Sequence, residues 1–269
     1  MTYSVLMSVY YKETADDLRL SVESMMRQTV PPDDFVLYCD GPLSEELLKE
    51  IDFLKNRYPL INVVPCDENK GLGAALGEGL KYCRCELIAR MDSDDISKPD
   101  RMELTLRAME ENNADIVSGS VSEFDGSIGN ITGTRALPET DKQIKKYVRH
   151  RNPFNHPCVT FRKKYAMLAG SYQSCPYFED YWLWARMLQN GCRGYNLQQS
   201  ILYMRGGAGM YKRRGGITYT KAALSFRRRM RRMRLCTRWD YIITCAAHII
   251  SGLMPNKLRM MFYSKILRK

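Results

Sequence analysis

The segment Glu86-Leu-Ile-Ala-Arg-Met-Asp-Ser-Asp-Asp95 joins a short apolar run to an acidic turn. The run ending at Met91 is typical of a buried β-strand, and the carboxylates of Asp92, Asp94 and Asp95 follow it directly. Carboxylates this close repel one another unless a cation lies between them, and their oxygens suit Mg²⁺ or Mn²⁺. The segment therefore predicts a strand that ends in a divalent-metal site, with a solvated acidic turn before a helix as the alternative.

Three apolar runs precede this segment, and a helical pattern follows each of them. The predicted strands are Tyr3–Val9, Phe35–Cys39, Ile61–Pro65 and Glu86–Met91. Helices are predicted after Thr14, from Leu47 to Leu54, over Gly71–Cys83, and from Pro99 to about Asn112. This order predicts an α/β fold with a mostly parallel central sheet flanked by helices. Ligands of such sheets bind beyond the carboxyl ends of the strands, where Tyr10, Asp40 and Asp92 lie.

The second half of the sequence is less regular. Strands are predicted at Asp115–Glu123 and Cys158–Arg162, and the stretch from Pro153 to Pro157 reads as a loop. A helix is predicted from Phe178 to Gln189, where Asn190-Gly191 ends it.

The net charge of +11 is unevenly distributed. The segment from Arg205 to Lys269 holds 17 of the 41 basic residues and one of the 30 acidic ones, so it carries +16 and the rest carries −5. A basic tail of this kind favours contact with nucleic acid or with an anionic membrane surface, and composition does not choose between them.

The nine cysteines do not predict a disulfide framework. They include no Cys-x-x-Cys pair, and the N-terminus opens on a predicted strand instead of a secretory signal. We therefore expect a reduced, cytosolic chain.

Six segments, in order along residues 3 to 216, resemble the family 2 glycosyltransferases, which have the GT-A nucleotide-sugar fold. They are Ser8-Val-Tyr-Tyr-Lys-Glu13, Asp40-Gly-Pro-Leu43, Asn69-Lys-Gly-Leu-Gly73, Ala89-Arg-Met-Asp-Ser-Asp-Asp-Ile96, Asn152-Pro-Phe-Asn-His-Pro157 and Phe178-Glu-Asp-Tyr181. The stretch Arg213-Arg-Gly-Gly216 also resembles members that build amylovoran-type and capsular polysaccharides. One short motif would be unspecific, whereas six in order on a compatible strand and helix pattern are specific.

The resemblance implies a binding site for a UDP-sugar. Tyr10 would stack on the nucleobase, Glu13 would accept hydrogen bonds from the ribose, and Asp40 would accept the imide N–H of uracil. Further contacts with the nucleotide-sugar are implied for Lys70, Gly71, Arg90, Asp92 and Ser93. The residues alone leave structural alternatives open: core packing for Tyr10, a turn for Asp40, helix-start charge for Glu13 and an ion pair for Arg90.

The resemblance also implies a metal and a catalytic pair. Asp94, with Asp92, would bind Mn²⁺ or Mg²⁺ at the diphosphate. Asp180 would be the general base that activates the acceptor hydroxyl, and Glu179 would hold the acceptor or orient the site. One base and a single displacement invert the anomeric carbon. Charge at a helix start is the alternative for this pair.

Four more residues are expected to contact the acceptor or a diphosphate. They are His156, Trp182, Arg213 and Arg214. Trp182 and Trp184 stand two positions apart on a predicted helix and so point to different faces, which predicts that one of them belongs to the core. A hydrogen-bonded structural role for His156 and a solvated loop at Arg213 and Arg214 are the alternatives.

The domain prediction is a GT-A domain over residues 1–216 and a basic, amphipathic helical tail over 217–269. In the tail, Phe226, Met230 and Met233 recur at helical spacing among arginines. The apolar stretch Tyr241–Met254 is shorter than the roughly 20 residues that span a bilayer. We expect the tail to bind an anionic membrane surface, with packing on the body or a homo-oligomer interface as alternatives.

These observations together predict an inverting, metal-dependent glycosyltransferase. It would move a hexose or N-acetylhexosamine from a UDP-sugar to a lipid-linked oligosaccharide or surface polysaccharide, peripherally at the inner face of a bacterial plasma membrane. A nucleotidyltransferase acting on a sugar phosphate is an alternative, but it predicts a glycine-rich loop after the first strand, where Tyr10-Tyr11-Lys12-Glu13 stands. A nucleic-acid-binding protein is a second alternative, which the acidic body opposes.

Overall fold

The computed structural model describes residues 1–206 and 215–254 of the chain. The strands are β1 Tyr3–Val9, β2 Asp34–Asp40, β3 Ile61–Cys66, β4 Leu87–Asp92, β5 Ile96–Ser97, β6 Ile116–Asp125, β7 Ser127–Arg135, β8 Thr160–Arg162 and β9 Gly194–Arg205. The helices are α1 Ala15–Met26, α2 Glu45–Arg57, α3 Leu72–Tyr82, α4 Arg101–Glu111, α5 Asp141–Tyr147, α6 Lys163–Leu168, α7 Glu179–Gln189, α8 Gly216–Arg232 and α9 Arg238–Leu253. A 3₁₀ turn covers His156–Cys158.

The strands form one mixed sheet in the order β3-β2-β1-β4-β8-β6-β9-β5, and β7 pairs with β6. Strands β1 to β4 are parallel to one another where they pair, and β6 is parallel to β9. Ser8 lies opposite both Tyr38 of β2 and Asp92 of β4. This register aligns the carboxyl ends of three strands, which confirms the predicted α/β fold and places Tyr10, Asp40 and Asp92 at one edge.

The sheet separates two apolar layers, because consecutive side chains of a strand point to opposite faces. Val5 packs with α1, α2 and α4 on one face, whereas its neighbour Leu6 packs with α3 and α7 on the other. Trp184 is fully buried in the second layer. The predicted helices form where these apolar stripes occur, and Thr14 caps α1 by accepting the N–H of Asp17 at 3.1 Å.

Two of the predicted elements begin two residues later because a turn precedes them. The helix predicted from Pro99 begins at Arg101, because Arg101 N–H bonds back to the carbonyl of Lys98 in a preceding turn. The strand predicted from Cys158 begins at Thr160, because Cys158 belongs to the 3₁₀ turn that starts at His156.

Strands β7 and β9 have no counterpart among the predicted elements. The side chains of β7 are almost all exposed and mostly polar, so the strand lacks an apolar alternation. In β9 the pairing with β6 jumps from Gly119–Leu197 to Ser120–Ser200, and this bulge breaks the period of two.

The C-terminal helices pack on the body. Tyr219, Ala223, Phe226 and Met230 of α8 are buried in the same apolar layer as α7, and the ring of Phe226 stacks on Phe178 with centroids 4.7 Å apart. Residues 217–232 therefore extend the core, and the division at residue 216 stays a prediction. Met233 caps the end of α8 and is largely exposed, so it does not continue the buried stripe. Among the described residues, no helix is long and apolar enough to cross a membrane.

Candidate active site

The acidic turn after β4 gathers three carboxylates. Oxygens of Asp92, Asp94 and Asp95 lie within 4.8 Å of one another. Burial, followed by the charge of Asp92, raises the pKa of Asp94 to about 6. Asp95 is buried, and its Oδ2 has no hydrogen-bond partner within the described part of the chain. A buried acceptor without a donor and a set of mutually repelling carboxylates fit a hard divalent cation.

Arg90 forms an ion pair within this cluster. Its fully buried guanidinium donates from Nη2 to Oδ1 of Asp92. The ion pair that was the alternative prediction for Arg90 is therefore present. Its Nε and Nη1 lack partners among the described residues, so the guanidinium retains donors for a further acceptor.

Arg205, at the end of β9, holds the acidic turn in place and was missed in the sequence. Its N–H donates to Oδ1 of Asp95 at 2.7 Å, and its Nε donates to the carbonyl of Asp94 at 3.0 Å. Its guanidinium also pairs with Asp17 at the start of α1. In the sequence, Arg205 stands out only as the first basic residue of the basic C-terminal segment. Its place beside the acidic turn depends on β9, which was not predicted.

Asp40 organises the glycine loop at the end of β2. Its two carboxylate oxygens accept the N–H groups of Lys70 at 2.8 Å and of Gly71 at 3.0 Å, and Asn69 Nδ2 donates to its carbonyl at 3.1 Å. A Cβ on Gly41 would lie 2.7 Å from the nitrogen of Asn69, so only glycine permits this closure. Each carboxylate oxygen keeps a second lone pair, which leaves room for a uracil N–H.

Tyr10 and Glu13 lie in the turn after β1. Glu13 N–H donates to the carbonyl of Tyr10 at 3.1 Å, and the Tyr10 ring meets Tyr11 edge-on. Burial, followed by the charges of Asp94 and Asp92, raises the pKa of Glu13 to about 7. Glu13 therefore lies close to the acidic turn, and the structure brings the predicted nucleotide and metal residues together.

Glu179 and Asp180 occupy the first turn of α7. A Cβ on Gly73 would lie 2.6 Å from Cγ of Glu179, so α3 and α7 begin in contact with each other. Burial raises the pKa of Glu179. Asn152 Nδ2 donates to Oδ2 of Asp180 at 2.6 Å, a contact that sequence analysis missed although Asn152 opens one of the six matching segments.

Tyr172 is buried against His156 and Trp184, and sequence analysis missed it as well. Burial raises the pKa of its hydroxyl; the charge of Arg90 opposes this, whereas those of Asp180 and Asp92 add to it. The hydroxyl lies 3.1 Å from Nε2 of His156. Burial, with a further contribution from Arg90, holds the pKa of His156 well below its usual value, so this imidazole is neutral.

The other predicted residues are two tryptophans, Ser93 and two arginines. Trp182 and Trp184 are both buried, and Trp182 Nε1 donates to Gln173 Oε1 at 3.0 Å. The acceptor role of Trp182 stays a prediction. Ser93 is buried within the acidic turn. Arg213 and Arg214 lie outside the described residues.

Comparison with known proteins identifies relatives over the whole chain. The model of the family "Glycosyl transferase family 2" matches residues 4–168. UDP-Gal:alpha-D-GlcNAc-diphosphoundecaprenol beta-1,3-galactosyltransferase of Escherichia coli is 37% identical over 99% of this chain and 97% of its own length. The amylovoran biosynthesis glycosyltransferase AmsE of Erwinia amylovora is 37% identical over 98% of each chain.

The fold has solved counterparts as well. The crystal structure of residues 1–349 of S. aureus TarS in complex with UDP-GlcNAc superposes with a TM-score of 0.63. The alignment covers 99% of this chain and 72% of TarS 1–349 at 14% identity, so it establishes the likeness of the fold alone.

Proposed function

Because the chain belongs to glycosyltransferase family 2, we propose that it transfers a hexose or N-acetylhexosamine from a UDP-sugar to an acceptor hydroxyl with inversion. The acceptor would be a lipid-linked oligosaccharide or a surface polysaccharide. The observation that carries the proposal is the contact of Glu179, at the start of α7, with Gly73 of the glycine loop that Asp40 binds, because transfer requires the donor and the base to share one site.

The donor end would hold the nucleotide and its diphosphate. Tyr10, Glu13 and Asp40 surround the carboxyl edge of β1 and β2, where the nucleoside would lie. Asp94 and Asp92, with Asp95, would hold Mn²⁺ or Mg²⁺, which when bound neutralises charge on the leaving diphosphate. The unused donors of Arg90 add positive charge at the same place.

The acceptor end would activate a hydroxyl group. Asp180 would take its proton, while the amide of Asn152 holds the carboxylate in place. Glu179, whose burial raises its pKa, would bind a neighbouring acceptor hydroxyl. Attack from the side opposite the diphosphate inverts the anomeric carbon.

The first donor and acceptor to test follow from the relatives. The E. coli relative is named for transfer of galactose from UDP-Gal to a GlcNAc-diphosphoundecaprenol, and AmsE for amylovoran synthesis. We therefore place this enzyme peripherally at the inner face of a bacterial plasma membrane. The +16 charge of residues 205–269 supports that location.

The test offers UDP-galactose, UDP-glucose and their N-acetylated forms, each with a synthetic GlcNAc-diphosphate lipid and Mn²⁺. We expect one donor to give a glycosylated lipid, and NMR of the product to show an anomeric configuration opposite to that of the donor. Retention of configuration, or turnover only with a sugar 1-phosphate and a nucleoside triphosphate, would contradict the proposal. The latter outcome would favour the nucleotidyltransferase.

A further inference from the structure

Helix α9 is inverted: its apolar side faces outward and its polar side faces the protein. The exposed side chains, all apolar apart from Arg238 at the helix start, are Trp239, Ile242, Ile243, Ala246, Ala247, Ile249, Ile250 and Leu253. The less exposed side holds Asp240, Tyr241, Thr244, Cys245, His248, Ser251 and Gly252. At 3.6 residues per turn, the outward set occupies about half of the helix circumference.

The orientation of α9 is fixed by contacts on its polar side. Asp240 lies 2.7 Å from Nε2 of His150 in the loop after α5, and it also caps the helix. Near the other end, a Cβ on Gly252 would lie 1.9 Å from Oγ1 of Thr220, so the Thr220 side chain packs directly against α9 at a position that only glycine permits. The helix could not rotate its apolar side inward without losing these contacts.

The outward apolar side is large for a surface that faces water. Trp239 is 73% exposed, Ile250 63% and Leu253 66%. A contiguous exposed apolar surface of this kind marks a site where a membrane or another protein binds.

Basic residues adjoin the apolar side. Exposed cations of α8, the connection and the start of α9 are Lys221, Arg228, Arg229, Arg232, Arg234 and Arg238. Asp240 is the one acidic residue in the described segment 215–254, and it is paired with His150. Two copies of this face would bring like charges together, whereas an anionic surface would complement them.

We infer that the outward side of α9 lies in the interface of an anionic lipid bilayer, parallel to its plane, with the flanking arginines at the lipid phosphates. The inference depends on the proposed function in one respect: the acceptor, a lipid-linked sugar, would come from the same bilayer. The occupant is the bilayer surface and not a second copy of the chain.

The docked helix would also lie near the acceptor end of the site. Asp240 bonds to His150, and Asn152, two residues further along the chain, bonds to Asp180. A diphosphate headgroup emerging from the bilayer beside α9 would thus need to travel only a short way to the base.

The experiment measures binding of the full chain to vesicles of phosphatidylglycerol and phosphatidylethanolamine by co-sedimentation. The triple variant Ile242→Ser, Ile243→Ser, Ile250→Ser removes three exposed isoleucines. The control variant Leu48→Ser, Phe53→Ser, Leu168→Ser removes three exposed apolar side chains elsewhere. We expect the α9 variant to need at least about tenfold more lipid for half-binding, and the control to bind like wild type.

The pair Arg232→Gln, Arg238→Gln tests the charged rim. We expect about fivefold weaker binding per arginine on anionic vesicles, an effect that high salt removes. UDP binding and thermal unfolding, measured without vesicles, should be unchanged in all these variants. This readout separates failure of the docking inference from failure of the proposed function.

Three results would overturn the inference. The first is failure of wild type to sediment with the anionic vesicles, and the second is binding of the α9 variant that equals that of wild type. A wild-type dimer that the α9 variant converts to a monomer, with unchanged vesicle binding, would assign the face to a second copy.

Discussion

Asn152 donates a hydrogen bond from Nδ2 to Oδ2 of Asp180 over 2.6 Å. The two residues are 28 positions apart in sequence, and the bond joins the loop after α5 to the first turn of α7. The carboxylate of the proposed base is therefore held by a side chain from a distant part of the chain.

Replacing Asn152 by alanine should lower kcat for transfer about tenfold to a hundredfold, because the carboxylate loses its orientation. The KM for the UDP-sugar and the affinity for UDP should stay unchanged. Asn152→Asp should be worse than alanine, since it places a like charge against Asp180. Asn130→Ala, an exposed asparagine on β7, is the control. Equal losses in kcat and in UDP affinity would instead indicate general damage to the fold.

Asp180→Asn should reduce transfer by about 10²–10⁴-fold, the usual contribution of a general base. UDP binding, measured by calorimetry, should be retained because the nucleotide residues lie at the ends of β1, β2 and β4. Transfer that survives within tenfold would remove Asp180 from the role of base.

Gly73→Ala should destabilise the protein by about 1–3 kcal/mol and reduce transfer, although alanine is the better helix former. The added Cβ would lie 2.6 Å from Cγ of Glu179, so α3 and α7 must separate. Combining it with Glu179→Ala, which removes Cγ but keeps a Cβ 3.0 Å from the added one, should recover part of the melting temperature but not the activity. Gly129→Ala, whose new Cβ would meet only Ser127 at 3.7 Å, serves as the neutral comparison. An unchanged melting temperature in Gly73→Ala would show that the two helices are free to move apart.

Asp94→Asn should stabilise the metal-free protein at pH 7.5. Its folded pKa of about 6 lies above the ordinary value near 3.8, so folding disfavours the charged form. The contribution of Asp94 to the stability of the wild type is therefore largest below about pH 4, and it declines as the pH rises through 6. We expect the variant to gain about 1–3 kcal/mol at pH 7.5 and nothing from this group at pH 3.5.

Thermal unfolding with and without Mn²⁺ completes that test. The metal should raise the melting temperature of wild type and have little effect on Asp94→Asn, because binding to the folded state alone stabilises it. Asp125→Asn, at the exposed last position of β6, should behave like wild type. Equal stabilisation of Asp94→Asn and wild type by Mn²⁺ would exclude Asp94 as a ligand.

The sequence was sufficient to predict that Asp40 and Asp92 lie at one edge of the sheet. Asp40 and Asp92 follow apolar runs whose parallel pairing was predictable, and parallel strands bring their carboxyl ends to one edge. The acidic turn was recognisable as a candidate cation site because its carboxylates are neighbours in the chain and repel one another.

The contacts that complete the site join distant parts of the chain. Arg205 reaches Asp95 across 110 positions, on a strand whose bulge hides its period. Tyr172 lies in a connection without a local motif, and its surroundings depend on the packing of α7. The orientation of α9 could not be predicted either, because an amphipathic pattern does not indicate which side of the helix packs on the rest of the protein.

The contact between Gly73 and Glu179 sets a condition on engineering this enzyme. The starts of α3 and α7 meet through the side chain of Glu179, with no side chain on the Gly73 side. A graft of another enzyme's glycine loop that brings a larger residue to position 73 would push against Glu179 and move the start of α7. Under the proposed roles, an exchange of donor preference would therefore require both helix starts to be recombined as a unit.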